Sequence, residues 1–347
     1  MKVFLTGGTG FIGQSLTKTF LARGWSVVAP VRRPDGTRAC SLSKMGAHCT
    51  PCDVTDRESM RESMTGADIV VHNAGHYEFG LNAEGKLCMH DINVRGTENV
   101  LSLALELRVP RVVYVSTVVA YGDSGPHMRD ETFERWVPCR TWYEQTKTEA
   151  HTIARRYQEQ GLPLIIVCPN GVIGPNDHSP FGYFLRMYLN KMLPPVCWSP
   201  GSMLSLVHLD DLAEGIALAA EKGRIGETYF LAGEPRSFRE HIGYWTTKPG
   251  AFKFRLWLPA GLMAALFCPL EPLQRMAGLP AFMSRETVRE GATNLYYSCD
   301  KAKRDLGWTH RSAQEMWFNT IDGEIELLHK RIKQNLTSLL NPLEDAG

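Results

Sequence analysis

Short runs of consecutive apolar residues alternate with longer stretches in which apolar positions recur every three or four residues, through the first 170 positions. The runs read as strands at Lys2–Thr6, Ser26–Val31, Ala47–Cys52, Ile69–Asn73, Arg111–Ser116 and Pro163–Cys168. The stretches between them predict helices over 12–23, 56–65, 92–108 and 142–160. Thr55 with Glu58 has the form of a capping box opening the second of these. Strands this rich in Val and Ile, with few polar interruptions, are covered on both faces. Joined by helices, they predict an α/β fold with a doubly wound parallel sheet of Rossmann type.

The pattern changes after Pro169. Residues 171–205 are rich in Gly, Pro and aromatics, a helix follows near 209–222, and Thr228–Leu231 reads as one more strand. The remainder is mostly helical and apolar, with no internal repeat. The expected organisation is a sheet domain over 1–170, completed by 206–232, and a smaller C-terminal lobe built from 171–205 and 233–347. Ligands of such sheets bind at the carboxyl ends of the strands, so the lobe should lie over that edge.

Composition narrows the classes without choosing among them. The 347 residues are 44% hydrophobic and 22% charged, an ordinary globular balance, and the formal net charge of +1 gives no basic footprint for nucleic acid. A strand starting at Lys2 leaves no room for a signal peptide, so a cytoplasmic protein with nine reduced cysteines is expected. The sequon at Asn335 then has no meaning. The longest apolar run, residues 256–270, is interrupted by Pro259 and is too short for a membrane span. A buried or pocket-lining helix is the expectation there, with attachment to a membrane surface as the alternative.

The first strand runs into TGGTGFIG (6–13) and then into a helix. Glycines at 7, 8, 10 and 13 permit a tight turn and let backbone N–H groups approach a pyrophosphate at a helix N-terminus. Gly7, Thr9, Gly10, Phe11, Ile12 and Gly13 are therefore candidate dinucleotide contacts. The second strand ends Val31-Arg32-Arg33-Pro34, where an NAD site would usually carry an acid. Two guanidiniums suit a 2′-phosphate, so NADP is the expected cofactor and NAD the alternative.

Further along, Tyr143 precedes Lys147 by four residues in WYEQTKTE (142–149). On a helix the two share a face, and a cation beside a phenol favours the phenolate and lowers its pKa. Such a pair can serve as a tuned proton donor.

TGGTGFIG, Asp53 after the third strand, HNAG (72–75), NVRGTENV (93–100), STVVAYG (116–122), YEQTK (143–147), PNGVIGP (169–175) and VHLDDLAEG (207–215) occur in that order. Together they resemble the extended short-chain dehydrogenase/reductase superfamily from residue 2 to about 232. The resemblance implies that Tyr143 exchanges the proton and that Lys147 holds the nicotinamide ribose and depresses the tyrosine pKa. It implies that Thr117, with Ser116 as second choice, binds the substrate oxygen, and that Asn93 supports a proton relay. It places Asp53 and Val54 by the adenine, Ala74 and Gly75 near the adenine-side ribose and phosphates, and Pro169 and Val172 at the carboxamide. In many members the helices at 92–108 and 142–160 form a dimer interface. Leu101, Leu103, Leu105 and Leu107 are too many for one buried face, and a homodimer is expected.

Two other signals carry less. Cys49 and Cys52 form a CxxC on a strand rather than at a helix N-terminus, which argues against a redox pair. His48, His72, His76 and His90 lack any ligand spacing, so no metal is expected.

Within the superfamily, a 4,6-dehydratase places Asp-Glu directly after the threonine, where this chain has Val118 and Val119. A nucleotide-sugar epimerase needs no such pair, but generally uses NAD, against which Arg32 and Arg33 speak. Tyr77, Phe79, Phe181, Tyr183, Phe184, Trp198 and Met203 suggest an apolar pocket wall suited to an aromatic, alkyl or steroid-like substrate. Tyr77, Phe79, Phe181 and Tyr183, with Thr117, are the candidate substrate contacts. Arg186 and Lys191 could still receive a phosphate or carboxylate. The VRRP signature (31–34) and the layout from 192 to 233 resemble dihydroflavonol-reductase-like and 3β-hydroxysteroid-dehydrogenase-like members, which reduce carbonyls or oxidise the alcohols. A regulator that binds NADP without turnover is the remaining class, and the presence of Thr117, Tyr143 and Lys147 together speaks against it.

Overall fold

A computed structural model describes residues 1–248, 251–277 and 282–340, the last ten of these as backbone. Seven parallel strands form the central sheet: β1 (Lys2–Thr6), β2 (Ser26–Val31), β3 (His48–Pro51), β4 (Ile69–His72), β5 (Val112–Val115), β6 (Leu164–Pro169) and β7 (Thr228–Leu231). Their order across the sheet is β7-β6-β5-β4-β1-β2-β3. Chain order reverses between β1 and β4, and the crevice outside the strand ends at such a switch point is where these sheets take ligands.

The central strands IVVH, VVYV and LIIVCP are buried along their whole length, as unbroken apolar runs require when helices cover both faces. Helices α1 (Phe11–Ala22), α2 (Thr37–Met45), α3 (Ala83–His90), α4 (Gly96–Glu106) and α5 (Trp142–Glu159) follow successive strands. The sequence pattern shows neither α2 nor α3. Both are short and polar, with only Ala39 and Leu42 of α2 and Met89 of α3 buried. The helix expected over 56–65 is one tight turn at Glu58–Met60 and one at Arg61–Met64. Its capping box does not form. Thr55 instead donates both its N–H and its hydroxyl to Asp53 Oδ1, at 2.9 and 2.8 Å, while Glu58 pairs with Arg57 and Arg61.

After β6 come α6 (Pro180–Leu189) and α7 (Leu209–Lys222), and after β7 come α8 (Phe238–Trp245), α9 (Ala260–Phe267), α10 (Leu270–Met276), α11 (Arg285–Gly291), α12 (Asp300–Leu306) and α13 (Ala313–Leu340). Helix α7 backs α1, tied to it by Ser15 with Asp210 and by Arg23 with Glu214 and Glu221. Pairs of short strands, such as Val196–Trp198 with Leu256–Leu258, stitch the lobe together. The tail returns to the sheet: α12 packs on α7 and β7, and buried Trp308 donates to the Asp211 carbonyl at 2.7 Å.

The apolar run at 256–270 is a strand and a helix rather than one buried helix. In it Met263 and Phe267 face inward, while Leu256, Leu262 and Leu266 are each about half exposed, at 51–53%. No helix among the described residues is long and apolar enough to cross a membrane.

Candidate active site

The glycine loop and the loop after β4 close on each other so tightly that side chains are excluded. Gly7 has a φ of +69°, and a Cβ there would lie 2.8 Å from the Cα and N of Ala74. A Cβ on Gly13 would lie 2.0 Å from the Gly7 carbonyl oxygen. Helix α1 begins at Phe11 behind Gly10, with no side-chain cap and no acid in its first turn. Its leading N–H groups are thus presented to an anion, and the dipole favours one. A dinucleotide pyrophosphate fits this end of the sheet, with Gly7, Thr9, Gly10, Phe11, Ile12 and Gly13 around it. Arg32 and Arg33 lie exposed just past β2, and neither forms an ion pair within the described residues. Val54, past β3, packs against Gly96, where a Cβ would come to 3.1 Å from its Cγ2, and accepts from Asn99 at 2.9 Å.

What holds the two loops together is a buried chain of hydroxyls and one imidazole. Asn73 and Ala74 donate their N–H groups to the Thr6 hydroxyl at 3.1 and 3.0 Å. That hydroxyl is 2.8 Å from His72 Nδ1, and His72 Nε2 is 3.0 Å from the Thr97 hydroxyl. Thr97 donates to the Asn93 carbonyl at 2.6 Å, so its oxygen must accept from His72 Nε2, and Nδ1 must accept from Thr6. The tautomer is thereby assigned from the hydrogen-bond pattern. Burial, and secondarily the nearby Lys147 charge, push His72 down to about 3, so it is neutral. The sequence pattern offered this residue only as part of a motif.

Thr117 ends β5 and caps the short turn Val118–Ala120. Its hydroxyl accepts from Val119 N–H at 3.2 Å and lies 3.4 Å from the Pro169 carbonyl oxygen. The Tyr143 phenol, from the first turn of α5, faces the Thr117 hydroxyl. Neighbouring Ser116 faces elsewhere, bonded to His151 Nδ1 at 2.9 Å. Thr117, rather than Ser116, therefore shares the crevice with the phenol.

Lys147 makes its polar contacts on the sheet side of the helix rather than with Tyr143. Its Nζ lies 3.4 Å from the Tyr114 hydroxyl and 3.3 Å from the Val115 carbonyl oxygen. The phenol is pushed above its ordinary value, by burial first and then by the charges of Glu290 and Tyr114, against a smaller lowering by Thr117. Four residues along a helix bring two side chains to one face, but a lysine stem is long enough to turn away to other acceptors.

Asn93 sits in a widened, π-type turn at Asp91–Arg95, where α3 runs into α4. Its Oδ1 accepts from the His76 N–H at 2.6 Å, while Nδ2 donates to the His76 carbonyl at 3.0 Å and to Thr146 at 3.1 Å. The amide thus clamps the loop that carries Ala74, Gly75 and Tyr77. Val172 lies beyond Pro169 in a short strand paired with Val207–His208.

An open cleft of about 250 Å³ is lined by Tyr77, Glu78, Phe79, His178, Pro180, Tyr183 and Phe282. Tyr77 meets Tyr143 edge to face, with ring centroids 4.6 Å apart, and so links the cleft to the phenol. Of the five expected contacts, Tyr77, Phe79 and Tyr183 line this cleft, and Thr117 lies outside its lining. Phe181 does not: it is packed among Phe238, Trp245 and Trp317 in the lobe's aromatic core. It lies two residues before Tyr183 on α6, hence on a different face. Arg186, expected to be available for a phosphate or carboxylate, is held by buried Glu324 at 3.1 Å. Cys49 and Cys52 point to different partners, the Ala39 carbonyl and the Ser63 hydroxyl.

One helix of the lobe escapes any local sequence signal. Glu286 of α11 accepts from the Gly80 N–H at 2.8 Å and from the Trp142 N–H at 3.2 Å, joining the cleft loop to the start of α5. Glu290, one turn later, is half-buried, with its Oε2 sealed from water.

The geometry can be set beside known proteins. The chain is 30% identical over 327 residues to a Synechocystis sp. protein named provisionally as a dihydroflavonol 4-reductase, covering 90% of this chain and 91% of that one. It is 29% identical over 335 residues to the 4-hydroxy-2-methyl-3-oxo-4-farnesyl-3,4-dihydroquinoline-1-oxide ketoreductase of Stigmatella aurantiaca, covering 92% and 96%. Among solved structures it is similar to gox2253, with a TM-score of 0.78 and 29% identity over 95% and 98% of the two chains. The sequence model of the NAD dependent epimerase/dehydratase family matches residues 3–232. This chain belongs to that family, within the extended short-chain dehydrogenase/reductase superfamily.

Proposed function

We propose that this protein is an NADPH-dependent oxidoreductase that reduces a ketone or aldehyde of a largely apolar small molecule, or oxidises the corresponding alcohol. The observation that carries the reading is the convergence of Thr117 and Tyr143 at the carboxyl ends of β5 and β6, beside an aromatic cleft. When bound, the nicotinamide supplies hydride to carbon. Thr117 and Tyr143 hold the carbonyl oxygen, and the phenol gives it a proton as charge develops there. The Tyr143 phenol is protonated at neutral pH, the form a donor requires, although burial makes it a weaker acid than a free phenol. Lys147, held by Tyr114 and the Val115 carbonyl, is placed to bind the nicotinamide ribose. Arg32 and Arg33, exposed past β2, favour the 2′-phosphate of NADP.

A nucleotide-sugar epimerase is the second reading, favoured by the family match itself. Against it stand the aromatic cleft and the engagement of Arg186 by Glu324, which removes a cation a diphosphate would need. Both named relatives reduce carbonyl compounds by their names, and both names denote a hydroxyl beside the reacting carbonyl. The deciding experiment is NADPH oxidation against aromatic aldehydes, flavanones, 3-ketosteroids and UDP-sugars, with NADH in parallel. Turnover of an apolar ketone with NADPH is the expected result. Conversion of a UDP-sugar without net loss of NADPH would overturn the reading in favour of the epimerase.

A further inference from the structure

Residues 251–277 of the C-terminal lobe put an unusual selection of side chains into solvent. Fourteen of these 27 residues are exposed: eleven are apolar, three are basic, and none is acidic or polar and uncharged. Thirteen large hydrophobic side chains are exposed among the described residues, and five of them fall here: Leu256, Leu262, Leu266, Leu273 and Met276, at 51–84%. A single exposed leucine needs no explanation, whereas a cluster marks a surface that meets something. Helix α9 shows why. Its eight residues, AGLMAALF, include no polar side chain. Met263 and Phe267 pack into the core, while Leu262 and Leu266, also one turn apart, face outward. A helix apolar on every side is normally covered on every side. This one is covered on one side alone.

Charge frames the apolar strip with one sign. Lys253 and Arg255 stand exposed before α9, and neither side chain forms an ion pair among the described residues. Arg275 of α10 is exposed, and so is Arg285 of α11, whose guanidinium reaches back to Cys268 at the end of α9. Glu271, the one acid of the stretch, is half-buried and accepts from the Arg285 N–H at 2.7 Å. The strip also borders the cleft. Arg275 donates to the Gly80 carbonyl, and the Gln274 amide exchanges two hydrogen bonds with the Met283 backbone, at 3.0 and 3.1 Å. Gly80 follows Phe79 and Met283 follows Phe282, and both phenylalanines line the cleft.

We propose that residues 251–277 form a docking surface for an anionic lipid bilayer, which they enter at headgroup depth. The leucines reach the acyl boundary while the bases stand among the headgroups, their stems covering apolar surface. No helix among the described residues could cross the bilayer, so the chain lies on it. Charge selects this occupant over a second copy of the chain. A second copy would set bases against bases, and the stretch exposes no acid to answer them. Its exposed apolar side chains are all aliphatic, whereas protein interfaces are anchored by Tyr and Trp. The proposal does not depend on the reductase reading. If that reading holds, α10 sets the cleft beside the phase in which an apolar substrate dissolves.

The test is flotation of the full chain with vesicles of phosphatidylcholine, alone or mixed with phosphatidylglycerol at about one part in three. The anionic vesicles are expected to bind it at least about tenfold more tightly, since each base near such a surface is worth about fivefold. Raising the ionic strength about fivefold should release much of it. Leu262→Glu with Leu266→Glu should cut binding to the anionic vesicles at least about tenfold, and Lys253→Ala with Arg255→Ala should remove most of the preference for them. An unchanged melting temperature certifies each variant as folded, and Leu262→Ser with Leu266→Ser replaces the glutamate pair if that does not fold. No binding to the anionic vesicles, equal binding to both kinds, or binding that survives both pairs of changes overturns the proposal. Self-association without vesicles, abolished by Leu262→Glu with Leu266→Glu, would overturn it in favour of a second copy.

Discussion

At the scale of single residues, burial sets where two protons sit. Tyr143 is a half-buried phenol that stays protonated at neutral pH, facing Thr117. Tyr143→Phe should lower kcat by about 10²–10⁴-fold, the usual worth of a general acid, and leave NADPH affinity within about twofold. Stopped-flow turnover with fluorescence titration of NADPH checks both, and full turnover in the variant would remove Tyr143 from the mechanism. Glu290 makes a prediction about stability. Its folded pKa, about 8, exceeds the ordinary carboxylate value, so the folded state binds a proton that the unfolded state has lost. Its contribution is therefore fully present below about pH 4 and is lost as pH rises through 8, at about 1 kcal/mol per pH unit between those limits. Glu290→Gln cannot lose that proton. Urea denaturation between pH 5 and 8 should show a flatter profile in the variant, and parallel profiles would mean that Glu290 ionises normally.

At the scale of elements, the cofactor end is assembled by strand exits that must meet at short range. Thr6 of β1 accepts from two N–H groups of the loop after β4 and reaches His72, so one hydroxyl fixes two loops. Thr6→Val keeps the shape, but leaves those N–H groups and His72 Nδ1 without their partner. A loss of about 2 kcal/mol in unfolding free energy is expected, with weaker NADPH binding. A stable variant with normal NADPH affinity would show that the loops hold without the bridge. Past β2, Arg32 and Arg33 make the cofactor test. Changing both to Ala should weaken NADPH by at least about tenfold while sparing NADH, since a charge-assisted bond to phosphate is worth about 1.5–3 kcal/mol. Equal weakening of both cofactors would sink the 2′-phosphate assignment. The elements missed by periodicity, α2 and α3, bury only one or two residues each. A helix that contributes so little to the core leaves little apolar pattern to read.

At the scale of the whole molecule, the sheet domain brings Tyr77 and Phe79 to the cleft and the C-terminal lobe brings Tyr183 and Phe282. Leu101 and Leu103 are buried in the chain's own core, and Leu105 and Leu107 pack partly against it. The leucines therefore need no second copy, and the homodimer stands as a proposal on the family resemblance, across α4 and α5. Sedimentation equilibrium should give twice the mass of 38.9 kDa, and a monomer at micromolar concentration would end the proposal. The sequence by itself determined the sheet and the glycine turn, and it set Tyr143 four residues before Lys147 on one helix. These are local facts: strand periodicity, a turn only glycine can make, and fixed spacing along one element. Tertiary structure alone decided that Lys147 reaches Tyr114 rather than Tyr143, that Phe181 belongs to the core, and that Arg186 is taken by Glu324. It alone brought Glu286 to the backbone of Trp142, 144 positions apart (286 − 142). Whether two side chains meet depends on how separate elements pack and on which acceptors a long side chain can reach, and neither is written in the spacing along the chain.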